Sequence, residues 1–205
     1  MLATDFSTRL RQHSMASHSD AEGSRLMTAL FDGAVDRATY ASLVSQLQPV
    51  YAALDRAAAI HRMTPGFGDF FDPRLARGKA IAADLDSLGG GRPATPATVE
   101  YATRITACDA DPLLVLAHHY TRYLGDLSGG RAIAARLAQH LALSPADGLA
   151  LYQFDVGPTP PYKHAYRQRL DALDLSEDDQ RRFIAEVLRA YSLNIRMFQS
   201  LDHLL

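Results

Sequence analysis

A helical pattern in the middle of the chain runs through YTRYLGDLSGGRA, residues 120–132, although three of these residues are glycines. Apolar residues recur at helical spacing on both sides, which predicts helix through the whole stretch. A glycine inside a helix costs roughly 1 kcal/mol relative to alanine, so three glycines in close succession require a compensating role. Bare backbone permits a kink or the close approach of a large flat ligand. We therefore interpret this stretch as a ligand-binding surface.

Length and composition indicate one domain, spanning residues 1–205. Of the 205 residues, 47% are hydrophobic, which is enough for a substantial core. The net charge of -2 provides no general attraction to nucleic acid or a membrane surface. The single cysteine, Cys108, excludes a disulfide framework. Since the longest apolar run, 112–117, is too short to cross a bilayer and no signal peptide is visible, we expect a cytoplasmic protein without a membrane anchor.

Helical patterns recur from end to end and strand signals are nearly absent, so we predict an all-α fold. The breaks between helices fall at segments rich in glycine and proline. The predicted helices are 5–22, 24–32, 36–60, 73–88, 96–107, 112–141, 145–152, 161–172 and 176–203.

A second candidate segment lies near the N-terminus, where Arg11, His18 and Glu22 share one helical face. Arg11 and His18 are two helical turns apart, or roughly 10 Å. This is comparable to the distance from the centre of a porphyrin to its propionate edge, so one face offers an iron ligand and a cation for carboxylates. Spacing alone leaves His13 equally plausible, and a lone helical histidine is more often a packing residue.

Basic and imidazole side chains recur further along the chain. Lys163 and Arg167 lie one turn apart and suit a pair of carboxylates or phosphates, although a solvated helix surface has the same pattern. His118 and His119 point about 100° apart on a helix and do not readily share one metal ion. We expect one of these two histidines to be packed and the other peripheral.

Asp126 lies among the glycines, one turn after Arg122. The simplest interpretation is an intrahelical ion pair, but a carboxylate held by arginine is also well placed to organise water beside a reactive centre. The spacing of Gly125 and Gly129 fits close helix packing as well as ligand contact. No Glu-x-x-His repeat of a diiron bundle is present, and the common nucleotide and hydrolase motifs are missing.

Together these segments resemble the haem oxygenase family, in particular its soluble, biliverdin-producing bacterial members. Residues 120–130 resemble the distal-helix signature of that family residue for residue, and the similarity extends over nearly the whole chain. The match favours His18 over His13 as the proximal iron ligand. It implies a single-domain, multi-helix fold in which haem lies between a proximal helix and a kinked, glycine-rich distal helix.

The resemblance also implies roles for individual residues. Asp126 is expected to organise distal water for proton delivery, and the other catalytic positions are Arg122, Gly125 and Gly129. Haem-binding residues implied by the match are His18, Arg11, Glu22, Tyr120, Gly125, Gly129, Gly130, Lys163, Arg167, Asn194 and Phe198.

The implied activity is oxidative cleavage of haem b, which is both substrate and cofactor, to biliverdin, ferrous iron and carbon monoxide. The reaction consumes O2 and electrons from an external donor, such as a ferredoxin or an NAD(P)H-dependent reductase. We expect a monomer with no nucleic-acid or membrane partner. Two alternatives stay open: a haem carrier or sensor that does not degrade its ligand, and a helical interaction protein that binds no tetrapyrrole.

Overall fold

The computed structural model describes residues 5–205, and within this range it consists of helices and turns without a β-strand, which confirms the all-α prediction. Residues 1–4 of the predicted domain lie outside the described range. The α-helices are α1 (Phe6–Glu22), α2 (Arg25–Asp32), α3 (Arg37–His61), α4 (Gly78–Leu88), α5 (Pro96–Ala107), α6 (Pro112–Gly125), α7 (Arg131–Leu141), α8 (Thr159–Asp171) and α9 (Glu177–Gln199). Within residues 5–205 no helix combines the length and the apolar character that a membrane crossing requires.

Side-chain caps define where several helices begin. Asp36, Thr95, Asp111 and Ser176 each accept a hydrogen bond from a backbone N–H in the first turn of the helix that follows. Such bonds satisfy donors that the helix itself leaves unpaired. The helices therefore start at positions that short polar residues specify.

Helix α6 is the central element of the fold. Every residue from 115 to 124 is buried, and α6 packs against both α3 and α9. A helix buried on all its faces belongs to the interior of a protein. Helix α1 packs against α9 and is joined to α8, because Ser7 donates from its backbone N and its Oγ to the Asp171 carboxylate at 2.7 and 2.8 Å.

The burial of α6 corrects one expectation about its histidines. His118 and His119 are both buried, at 0% and 1% exposure, so the prediction that one is peripheral is wrong. His119 Nδ1 lies 2.9 Å from the Tyr166 hydroxyl, and burial lowers the pKa of His119 to about 3. Each imidazole therefore packs in its own part of the core.

Two predicted helices differ from the structure. The helix predicted at 145–152 is wrong, because the chain turns tightly at Ser144 and only Ala150–Tyr152 forms a 3-10 helix. The buried Asp84 of α4 accepts hydrogen bonds from the N–H groups of Ala150 and Leu151, both at 2.7 Å. The helix predicted at 73–88 begins only at Gly78, after a separate 3-10 turn.

A buried charged cluster joins α5, α6 and α9. Glu186 accepts hydrogen bonds from His118 Nε2 at 2.8 Å and from Arg104, whose Nε and Nη2 lie 2.8 and 2.5 Å away. Burial by itself would raise the pKa of Glu186, but the hydrogen bonds from His118 and Arg104 lower it to about 2. The ionised carboxylate therefore stabilises the packing of the three helices.

We predict that Glu186→Gln lowers the free energy of unfolding by about 2 kcal/mol at neutral pH, because a hydrogen-bonded buried charge is lost. The native pKa of about 2 lies below the usual 4.5, so the contribution of Glu186 is present above pH 4.5 and is lost as pH falls towards 2. Urea unfolding across this pH range measures the difference. Glu177→Gln, at an exposed position of α9, is the control, and a pH-independent difference would contradict the prediction.

Candidate functional site

Two adjoining cavities lie between α1 and the end of α6. The inner cavity has a volume of about 100 Å³ and the outer cavity about 380 Å³. His18, Gly125 and Tyr191 line both, so the two cavities are neighbours, and together they are called here the central cleft. Side chains of α1 form one wall of this cleft, and the backbone that follows α6 forms the wall opposite.

His18 is the imidazole of the central cleft. Its side chain is 44% exposed, its Nδ1 lies 3.5 Å from Glu22 Oε2, and its ring packs edge-on against Tyr191 with the centroids 5.9 Å apart. Because Glu22 engages Nδ1, the other nitrogen, Nε2, is left for a metal. The exposed His13 lines neither cavity, so the structure separates two histidines that spacing could not.

The opposite wall is a π-helical segment, Asp126–Gly130, between α6 and α7. A Cβ atom placed on Gly125 or Gly129 meets no atom within 4 Å, whereas one on Gly130 lies 2.8 Å from Cδ1 of Tyr152. Gly125 and Gly129 therefore present bare backbone to open space, and the alternative that they mediate close helix packing is wrong. Single π-helical turns occur frequently at functional sites.

A buried polar network supports the π-helical segment from behind. Arg122 donates from Nη1 to Asn194 Oδ1 at 2.8 Å, and from Nη2 to the Tyr51 hydroxyl at 3.1 Å and to Asp126 Oδ1 at 3.3 Å. The guanidinium is thus shared among three acceptors on three helical segments. No sequence pattern marked Tyr51, because its partner lies far away along the chain.

Asp126 is an acid whose side chain is only 16% exposed, in an environment that favours its neutral form. Burial raises the pKa of Asp126 well above its usual range, and the long contact with Arg122 does not offset the lost hydration. Among the described residues, Asp126 Oδ2 has no hydrogen-bond partner. Arg122 donates to Oδ1, so the two carboxyl oxygens of Asp126 have different surroundings.

Cationic side chains surround the outer cavity. Arg11 from α1 and Lys163 and Arg167 from α8 all line it, beside the buried Tyr120. Lys163 Nζ donates to Ser128 Oγ at 3.0 Å, and burial, together with the nearby charge of Arg167, lowers the pKa of Lys163. The structure thus brings together three cations from distant parts of the sequence.

The inner cavity also has an apolar wall that the sequence patterns did not mark. Leu and Met residues at helical spacing have the same pattern whether they line a cavity or fill a core. The unmarked lining residues are Met27, Phe31, Leu43, Leu47, Ile133 and Tyr152, and Phe198, which the sequence did assign, lies among them.

These features together fit one class of ligand. A flat, largely apolar molecule with a central metal and carboxylates on one edge would find an imidazole for the metal, bare backbone on its other face and cations at its edge. Each feature comes from a different part of the chain. Asp126 lines the inner cavity beside Gly125 and Gly129, and among the described residues its Oδ2 has no hydrogen-bond partner.

A second group of possible metal ligands does not fit a metal. Donor atoms of Cys108, His118 and Glu186 lie within 4.8 Å of one another. However, Arg104 already neutralises Glu186, and burial raises the pKa of the Cys108 thiol to about 11. A cation there would have to displace a guanidinium and a proton, so the cluster is a structural one.

Comparison with known proteins gives a consistent result. The model of the family described as "Heme oxygenase" matches residues 4–200. Among similar proteins, "Heme oxygenase 2" of Synechocystis is 34% identical, over 98% of this chain and 85% of that protein. "Heme oxygenase" of Guillardia theta is 31% identical, over 98% of this chain and 88% of that protein.

The fold is shared with solved structures. The crystal structure of heme oxygenase-2 from Synechocystis in complex with heme and NO superimposes with a TM-score of 0.92 at 33% identity, covering 98% of this chain and 86% of that one. The structure of the heme oxygenase from Leptospira interrogans has a TM-score of 0.90 at 28% identity, covering 96% of this chain and 100% of that one.

We predict that Gly129→Ala and Gly130→Ala change stability in opposite directions. The first relieves the cost of a helical glycine and faces open space, so it raises the free energy of unfolding by up to about 1 kcal/mol. The second forces the Tyr152 ring to move and lowers the free energy of unfolding. Thermal unfolding of the ligand-free protein measures both, and a loss of stability in Gly129→Ala would show that its position is not open.

Proposed function

Since the chain belongs to the haem oxygenase family and is an enzyme that degrades haem, we propose that it opens the ring of haem b to biliverdin and releases ferrous iron and carbon monoxide. The reaction consumes O2 and electrons from an external donor such as a ferredoxin or an NAD(P)H-dependent reductase. We propose that it acts as one domain and as a monomer. The observation that supports this most is the position of the His18 imidazole across the central cleft from Gly125 and Gly129, beside the largely buried acid Asp126.

His18 is the proposed iron ligand. The contact of Glu22 with Nδ1 orients the ring and leaves Nε2 towards the cleft. The cations at the outer cavity, Arg11, Lys163 and Arg167, then bind the propionates. The related Synechocystis protein has been crystallised with heme, which supports the same ligand for this chain.

The distal side of the site is shaped by the absence of side chains. At Gly125 and Gly129 the ring can approach the backbone, because no Cβ stands between them. Gly130 serves a different purpose, since it leaves room for the ring of Tyr152. The π-helical turn therefore fixes how deeply the substrate enters the cleft.

Asp126 is the proposed proton store. When haem is bound, its iron supplies the centre at which O2 is activated and its ring is the part that becomes oxidised. Asp126 donates the proton on Oδ2 to water on the distal side, while Arg122 holds Oδ1. Asn194 and Tyr51 keep the guanidinium in place, so the carboxyl group has a fixed orientation.

The alternative function, a haem carrier or sensor, requires only His18 and the cations of the outer cavity. It assigns no purpose to a buried acid that is held by a shared arginine and has one unpaired oxygen. Such an arrangement costs stability in a protein that only binds its ligand. We therefore favour turnover of the haem.

We predict that Asp126→Asn retains haem affinity and slows formation of bile pigment by about 100-fold or more, because the proton donor is lost. Hemin titration followed by turnover with O2 and a chemical reductant gives both quantities by absorbance. Asp86→Asn, at an exposed acid of α4, is the control. Wild-type protein that keeps its haem band under these conditions and forms no pigment would instead be a carrier or sensor.

We predict that His18→Ala loses the absorption spectrum of histidine-ligated haem, whereas His13→Ala retains it. The two histidines lie on the same helix, but only His18 lines the central cleft. Spectral titration with hemin, followed by addition of imidazole to restore the missing ligand, measures the effect. An unchanged spectrum in His18→Ala would remove the proposed ligand.

A further inference from the structure

A separate cavity, called here the side cavity, lies between α3, the 3-10 turn Pro73–Leu75 and α6. Its volume is about 220 Å³, which is room for several water molecules or for one small organic molecule. Among residues 5–205, none lines both this cavity and the central cleft. The side cavity is therefore a different site from the one proposed for haem.

The surface of the side cavity is predominantly apolar. Phe71 and Leu75 are buried at its inner end, at 8% and 1% exposure. Ala59 and Ala76 are exposed at its outer end, where the cavity lies near solvent. A concave apolar surface of this kind favours the binding of an apolar molecule, because binding removes that surface from water.

His119 of α6 contributes the one imidazole of this cavity. Burial lowers the pKa of His119 to about 3, so its ring is neutral and carries one proton. Burial also keeps the Tyr166 hydroxyl protonated, and the acceptor that the structure gives this hydroxyl is His119 Nδ1, at 2.9 Å. Tyr166 therefore donates to Nδ1, and the ring proton of His119 lies on Nε2.

The Nε2–H group of His119 is a hydrogen-bond donor without a partner among the described residues. The unpaired Nδ1 of His118 is sealed from solvent, whereas Nε2 of His119 is not, so it borders the side cavity that His119 lines. A nearly buried donor without an acceptor costs free energy, and a ligand that carries an acceptor recovers it.

The two carboxylates of the side cavity already have partners. Asp55 accepts hydrogen bonds from the Tyr123 hydroxyl at 2.6 Å and from two backbone N–H groups at the start of α4. Asp72 accepts from the guanidinium of Arg74, which lowers the pKa of Asp72. An anionic ligand would come close to both negative charges, and a cationic ligand would find its acceptors already engaged. An uncharged ligand therefore fits this cavity best.

We propose that the side cavity binds a small uncharged molecule with an apolar body and one carbonyl-type acceptor, which accepts a hydrogen bond from His119 Nε2. The apolar body packs against Phe71 and Leu75 at the inner end. This site is independent of the function proposed for the central cleft, so either proposal can fail without the other.

Acetophenone is the probe, and α-methylstyrene is its matched control, because a CH2 group replaces the carbonyl oxygen at nearly the same shape. The NMR signal of the His119 Nε2–H group, in protein with isotope-labelled histidine, reports binding. We expect a saturable shift with a Kd of about 1 mM for a molecule of this size. We expect α-methylstyrene to bind about fivefold more weakly or worse, since it offers no acceptor.

A second test blocks the cavity from outside. Ala59→Phe places a ring at the outer end of the side cavity. Ala52→Phe, at an exposed position of the same helix that lines neither the side cavity nor the central cleft, is the control. We expect acetophenone to bind about tenfold more weakly in Ala59→Phe and unchanged in the control. Equal binding in the two variants would overturn the proposal.

His119→Phe tests the donor itself. It keeps an aromatic ring next to Phe71 and Tyr123, whose ring centroids lie 5.3 and 4.5 Å from that of His119. We expect acetophenone to lose its advantage over α-methylstyrene, so that the two probes bind with similar affinity. A preference retained in this variant would show that another group binds the carbonyl oxygen, and would overturn the role of Nε2.

Two further outcomes would also overturn the proposal. The absence of any saturable shift at His119 with acetophenone would show that the cavity holds water only. A shift confined to His18 would place the probe in the central cleft instead. Neither result bears on the proposed degradation of haem, because pigment formation is measured without the probe.

Discussion

The arrangement depends on one constraint: a helix buried on all its faces must continue into a turn whose glycines leave part of the cleft wall without side chains. Residues 115–124 are all buried, so α6 is enclosed by its neighbours along most of its length. The following turn leaves open space at Gly125 and Gly129. Arg122 connects this end of α6 to α3 through Tyr51 and to α9 through Asn194. The packing around α6 and the open space at the two glycines together define this wall of the cleft.

Charged side chains of the cleft lie in two different environments, one near solvent and one in the interior. At the outer cavity, cations remain near solvent and suit the binding of carboxylates. In the interior, Arg122 divides its donors among Tyr51, Asn194 and Asp126, and two of these acceptors are neutral. Asp126 therefore has less compensation than a full ion pair would give, and burial raises its pKa. Cations near solvent and a largely buried acid thus occur in one cleft.

Most of the helices, and the two walls of the cleft, could be predicted from the sequence, because apolar spacing and glycine placement are local signals. Local signals could not show that the helix expected at 145–152 is absent. The reason is that Asp84, 66 residues from Ala150, accepts a hydrogen bond from the backbone N–H of Ala150. Nor did spacing distinguish ligand contact from packing at the glycines. The two glycines differ in what a Cβ atom would meet. At Gly129 it would face open space, and at Gly130 it would meet the ring of Tyr152.

Asp84 belongs to α4 and lines neither cavity of the central cleft, yet it holds the 3-10 turn that ends at Tyr152. Tyr152 in turn packs against Gly130. Helix α4 thereby supports part of the wall of the inner cavity without lining it. A substitution at Asp84 could therefore change the shape of the inner cavity while every residue that lines the cavity stays the same.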